Sequence, residues 1–199
     1  MDYILVYDFG GGTLDLSLLH VSDGFVDVMG SDGDELLGGA DFDATVAHYL
    51  LREKDGQAVV DRVADVLTKL EESQGYDLEE RLLKACPIIR EMPLCTASSF
   101  HTIGEQLKIG MSNVTENGSV EAECLALSED ESSEQEWSFS SFCESLIPLT
   151  LSLPDSDYNR MIQPLLERSI LPLTRLLDDL DLGEDDIQEI VMVGGTSRE

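Results

Sequence analysis

Tyr3-Ile4-Leu5-Val6-Tyr7-Asp8-Phe9-Gly10-Gly11-Gly12-Thr13-Leu14-Asp15-Leu16-Ser17-Leu18-Leu19-His20 is the stretch on which the reading of this chain turns. An apolar run of strand length ends at Asp8, three glycines follow, and a second run alternates through Leu14, Leu16 and Leu18. Two strand-like runs joined by glycines predict a β-hairpin. Ser22-Asp23-Gly24 marks a second turn, and Phe25, Val26, Val28 and Met29 predict a third strand, so the opening reads as an antiparallel meander. Successive glycines let backbone amides approach a ligand and form a concave nest of N–H groups suited to phosphate oxygens. Thr13 adds a hydroxyl donor. Asp8, at the strand end, faces the same crevice, where a carboxylate could hold a water on Mg²⁺ or orient an attacking water. Three motifs are excluded. There is no Gly-Lys-Ser/Thr for a Walker A loop, a strand rather than a helix follows, which excludes a Rossmann turn, and no His-Arg-Asp accompanies the kinase-like Asp8-Phe9-Gly10.

Composition narrows the function classes. Twelve Lys and Arg against 41 Asp and Glu give a formal net charge of −29 over 199 residues. Such a surface repels nucleic-acid backbones and anionic lipid. The longest apolar runs, Tyr3–Tyr7 and Ile190–Val193, are far shorter than the ~20 residues of a membrane helix. No signal-peptide pattern opens the chain, and the acidity fits a cytosolic or lumenal setting, the cytosol favoured. Cys86, Cys95, Cys124 and Cys143 show no zinc spacing, and they read as reduced or buried thiols rather than a disulfide framework. Asn113-Val114-Thr115 and Asn117-Gly118-Ser119 are glycosylation sequons, meaningful only in a secreted chain.

Beyond the meander, Gly33–Gly39 reads as a loop and Asp41 as the cap of a helix carrying Phe42, Val46, Tyr49 and Leu50 on one face. Val59, Val63, Val66, Leu67 and Leu70 continue the helical period, and a further helix over Leu78–Ala85 ends at Pro87. Pro87–Ser99 reads as an irregular connection, and helical signal returns over Ile103–Met111. There Glu105, Lys108 and Ser112, three and four residues apart, share a helix face. They form either a solvated Glu105–Lys108 pair or a polar row for ribose hydroxyls beside a base. Gly118–Leu127 alternates as a strand. Ser128–Glu136 (SEDESSEQE) reads as a solvated acidic loop, and Trp137–Leu153 contains further strand-like material. A helix opens near Pro154, with Pro164 and Pro172 expected to kink or split it. Ile187–Val193 is the last strand. Gly38-Gly39 and Gly194-Gly195-Thr196 are two more glycine turns that could converge with the first on one ligand.

As a set, Tyr3–Ser17, Leu37-Gly38-Gly39-Ala40-Asp41-Phe42-Asp43 and Ile190-Val191-Met192-Val193-Gly194-Gly195-Thr196-Ser197-Arg198 resemble the ATPase domain of the Hsp70 chaperones, specifically its second lobe. The resemblance implies an α/β, actin-like (RNase H-like) ATPase lobe: a mixed twisted sheet with flanking helices plus a helical and strand subdomain. Residues 1–40 and 154–199 would form the nucleotide-binding core. Residues 41–153 would form an arm with the acidic loop 128–136. It implies ATP/ADP and Mg²⁺ as ligands. Gly10, Gly11, Gly12 and Thr13 would be the phosphate loop, and Asp8 the carboxylate near Mg²⁺ and the attacking water. Gly38 and Gly39 join the site, Gly194, Gly195, Thr196 and Arg198 form the adenosine loop with Arg198 on the base, and Glu105, Lys108 and Ser112 supply the family's polar row. It also implies a J-domain co-chaperone and a nucleotide-exchange factor as partners, and a role in protein folding and the stress response. Ala40 stands where the family has Glu, and Cys86–Phe100 is an extra segment. The first phosphate loop and catalytic Lys are expected before Met1, so the chain reads as a fragment that would not hydrolyse ATP efficiently alone. Two other readings remain open: another actin-fold ATPase or kinase, and an interaction module with a decayed site.

Overall fold

The computed structural model describes residues 2–53, 56–74, 77–114, 118–128 and 136–198. The meander forms as the alternation requires. β1 (Asp2–Phe9) pairs antiparallel with β2 (Leu14–Ser22), and β2 with β3 (Phe25–Asp34). Leu14, Leu16 and Leu18 point to one face and are fully buried, while Asp15 points outward.

Three helices follow: α1 (Gly39–Glu53), α2 (Gly56–Gln74) and α3 (Leu78–Ala85). Phe42, Val46 and Leu50 bury the predicted face of α1. Asp41 is not its cap: it lies in the first turn, and its carboxylate reaches back to accept the Gly38 N–H at 2.8 Å. After α3 the chain makes a single 3-10 turn at Pro87–Arg90, bridges Leu94 to Leu125, and enters α4 (Ala97–Met111) through a reciprocal Thr96–Ser99 cap. β4 (Ser119–Leu127) pairs antiparallel with β5 (Leu146–Pro154) as a separate two-stranded sheet. The strand-like material expected within Trp137–Leu153 is β5, and it is preceded by a helix the sequence did not announce, α5 (Phe139–Glu144), started by a Ser138–Ser141 capping box. Residues 129–135, most of the acidic loop, lie outside the described residues.

α6 (Asp155–Asp179) remains one 25-residue helix through Pro164 and Pro172. Each proline removes one helical N–H donor, but tertiary contacts hold the helix across both. Tyr158, Ile162, Pro172, Leu176 and Leu177 are buried. Two guanidinium forks then clamp it to β3: Arg168 on Asp34 at 2.7 and 2.8 Å, and Arg175 on Asp32 at 2.8 and 3.0 Å. The arginines hold both aspartates below the ordinary carboxylate range. β6 (Ile187–Val193) returns parallel to β1 and completes the sheet order β3-β2-β1-β6. This is a mixed α/β architecture in which one core runs from Leu5 and Phe9 of the sheet through Phe42 to Phe100, Leu107 and Leu153.

The four cysteines are not thiols. Cys86 pairs with Cys143, and Cys95 with Cys124, with Cα–Cα distances of 5.6 and 5.4 Å, inside the range a disulfide requires. Sequence separations of 57 and 29 residues hid this adjacency, which arises only when the 86–95 connection packs on α5 and β4.

Candidate functional site

The three glycine turns meet at one carbonyl. Gly10 O accepts the Gly39 N–H at 3.0 Å and the Thr196 hydroxyl at 2.9 Å, joining the first hairpin, the start of α1 and the turn after β6. Gly11 O accepts the Ala40 N–H at 2.8 Å. A trans peptide is planar, with its C=O and the following N–H on opposite sides. Because the carbonyls of Gly10 and Gly11 face α1, the N–H groups of Gly11 and Gly12 must face away from it, towards solvent. Among the described residues no protein group accepts from the amides of Gly11, Gly12 or Thr13, and all three residues are exposed. The α1 N-terminus behind the turn adds positive dipole potential to the same spot.

Packing explains some of the glycines and not others. A Cβ on Gly38 would lie 2.4 Å from both N and Cα of Gly12, and one on Gly194, at φ +92°, would lie 2.1 Å from Phe9 O. These two let the turns stack. A Cβ on Gly11, Gly12 or Gly195 would meet nothing within 4 Å, and none of the three has positive φ. The fold leaves room for side chains there, and their absence leaves bare backbone exposed at the surface.

Asp8 sits beside the turn after β6, half-buried, with Oδ1 3.0 Å from the Cβ position of Gly194. Among the described residues no cation pairs with it. Mg²⁺ is typically held by one or two carboxylates plus phosphate oxygens and water, so one unpaired carboxylate beside an amide nest suits that ion. Thr13 differs from expectation: its hydroxyl donates to Asp15 at 3.0 Å, so what it offers a ligand is its amide.

The row on α4 is only partly as expected. Lys108 turns inward, buried, with Nζ 2.8 Å from Asp43 Oδ1 and donating to Gly39 O at 3.3 Å. Its partner is Asp43, not Glu105, and no aligned hydrogen bond reaches that Oδ1, so the contact is coulombic. Lys108 therefore braces the Gly39 turn from behind. Glu105 and Ser112 are exposed, and the Ser112 hydroxyl donates to Ile109 O at 2.8 Å. Arg198 closes a 3-10 turn begun at Thr196, and its side chain lies outside the described residues. Asp41 and Asp43, one orienting Gly38 and the other holding Lys108, were missed by motif reading. A spacing argument cannot pair Asp43 with a lysine 65 residues away.

Comparison with known proteins gives concordant results. A family model described as Hsp70 protein matches residues 1–75 and 111–199. The match includes Asp8, all three glycine turns, Ser112 and Arg198, and omits Glu105 and Lys108. Chaperone protein dnaK of Trieres chinensis is 28% identical over 198 residues, 98% of this chain and 25% of the relative. A chaperone protein HscA homolog of Haemophilus influenzae is 26% identical over 98% of this chain and 22% of the relative. Chaperone protein DnaK 1 of a Synechococcus species is 29% identical over 98% and 20%. The chain thus spans a fifth to a quarter of the length of these relatives.

Proposed function

The chain belongs to the Hsp70 protein family, whose ATPase domain has an actin-like fold, and from that membership we propose that it is an adenine-nucleotide-binding lobe acting in a chaperone ATPase cycle. In this reading the amides of Gly11, Gly12 and Thr13 donate to phosphate oxygens of ATP or ADP. Hydrogen bonds to a charged acceptor contribute about 1.5–3 kcal/mol each. Asp8 would hold Mg²⁺ through water, and the ion would supply charge neutralisation at the phosphates. Gly195 admits the ribose or base to the backbone after β6, while Gly194 and Thr196 hold that turn against the hairpin. Gly38 and Gly39, braced by Lys108, hold the nest in shape. Glu105, Ser112 and Arg198 take the adenosine side. Residues 1–40 and 154–199 act as the nucleotide core and 41–153 as an arm. A J-domain co-chaperone and an exchange factor are the partners this role requires.

One observation carries the reading: Gly11, Gly12 and Gly195 are exposed glycines that packing does not demand, and among the described residues the amides of Gly11, Gly12 and Thr13 have no protein acceptor. A net charge of −29 opposes any anion at long range, so recognition must be local and assisted by the metal. The test is calorimetric titration of the chain and its Gly11→Val variant with Mg²⁺-ADP. The expected result is heat of binding for the wild-type chain only, at equal melting temperature. Equal binding by both proteins would remove the nest from the site.

A further inference from the structure

A groove of about 1180 Å³ lies between the C-terminal half of α2, α3, the 3-10 turn, the start of α4 and β4. It shares no residue with the glycine cluster. Its apolar surface comes from Leu67, Leu78, Leu82, Leu83, Ile89 and Met92. Its charged residues are Glu71, Asp77, Glu79, Glu80, Glu91 and Glu123, and among the described residues no Lys, Arg or His lines it. Arg81 on α3 holds its guanidinium 4.9 Å from the centre of the Phe139 ring. The volume, about 1180 Å³, exceeds the roughly 300–1,000 Å³ of small-molecule pockets.

Two further facts mark this as a built surface. Cys86 and Cys95 flank Ile89 and Met92, and their disulfides to Cys143 and Cys124 fix the segment that carries both side chains. Almost the whole lining falls within residues 76–110, which the Hsp70 family match omits. The groove therefore lies largely outside the segments matched by the family model and shares no residue with the glycine cluster, so its occupant is argued independently of the nucleotide reading.

We propose that this groove docks a basic amphipathic helix of a partner protein. An apolar floor accepts side chains spaced i, i+3, i+4 and i+7 on one helix face. Six surrounding carboxylates with no neighbouring cation among the lining residues select Lys and Arg on the helix flanks and disfavour acidic segments. The preset floor lowers the ordering cost of binding.

The probe is a fluorescent fourteen-residue Leu/Lys peptide with one apolar helix face, compared by anisotropy with a scrambled peptide of equal charge and no apolar face. The expected result is binding at least about 10-fold tighter for the amphipathic peptide. Met92→Glu adds negative charge yet should weaken that peptide by about 10-fold, because docking needs the apolar floor. Should Met92→Glu melt early, Glu79→Lys/Glu80→Lys decides the matter. It reverses two exposed charges at the groove and should weaken binding, while Asp178→Lys/Asp179→Lys, with the same change in net charge at the far end of α6, should not. Equal affinity for both peptides, or equal loss in the two double variants, would show only attraction to an acidic protein and overturn the proposal.

Discussion

Replacing Lys108 with Met separates bracing from ligand contact. The ammonium and the Asp43 carboxylate retain 9% and 14% side-chain exposure and lie 2.8 Å apart. Methionine keeps most of the stem's volume, so the packing loss is small. What remains is a carboxylate held away from water without its cation, a change that costs about 3–5 kcal/mol. Against a domain stability of about 5–15 kcal/mol this is a large fraction. For a chain of this length each kcal/mol moves the midpoint about 2–4 °C, giving a fall of about 6–20 °C. Asp43→Leu alone strands the ammonium and should cost a similar amount. The double variant removes both charges and should return to within about 1–2 kcal/mol of wild type, because an apolar pair can replace a buried ion pair at little cost. Thermal and urea melts of all four proteins at neutral pH measure the cycle, and a constant urea slope confirms that one transition is being compared. A single-variant loss of less than about 1 kcal/mol, the worth of a surface pair, would refute the claim that Lys108 is committed to Asp43.

Gly38→Ala forces a methyl against the Gly11 and Gly12 backbone, where no flexible side chain can yield; about 1–3 kcal/mol of destabilisation and loss of nucleotide binding are expected, and a wild-type melt would contradict the stacking of the two turns. Thiol titration of the unfolded chain should find no free thiol before reduction and all four cysteines after it. Each bridge closes a loop whose chain entropy corresponds to roughly 3–5 kcal/mol, the two not being additive because the 95–124 loop nests inside 86–143. Asp32 and Asp34 are depressed in the folded state by Arg175 and Arg168, so their stabilisation is present above the unfolded carboxylate pKa of about 3.9 and is lost as pH falls through the folded values. The melting difference between wild type and Asp32→Asn/Asp34→Asn should therefore be steady near neutrality and shrink below about pH 4. A difference that grows in acid would reverse the assigned sign.

What could be read before the structure was local. Leu14, Leu16 and Leu18 announce their strand by period, and Phe42, Val46 and Leu50 their helix. Pro87 ends α3 where its missing N–H and the restriction on Cys86 require. The glycine turns were legible as candidates, but their convergence on Gly10 O was not, since residues 10, 39 and 196 meet only through the fold. α5 was hidden because six residues between strand-like runs carry no helical period, and its cap uses Ser141 where the usual pattern has Glu or Gln. Pro164 and Pro172 misled because helix-breaking is a local cost, and the Arg168 and Arg175 forks that offset it reach β3 across 134 and 143 residues. The cysteine pairs and the Lys108–Asp43 pair failed for the same reason. Type and spacing show what a side chain is able to do, and long-range packing decides what it meets.

The central claim is that one cleft, floored by the amides after Asp8 and the turn after β6, receives the phosphates of a nucleotide. Backbone amide NMR of the isotope-labelled chain titrated with ADP and Mg²⁺ tests it most directly. The account predicts saturable shifts concentrated at Gly11, Gly12, Thr13, Gly195 and Thr196, with little change around Ile89 and Met92. Shifts confined to the acidic groove, or none at saturating nucleotide, would contradict it.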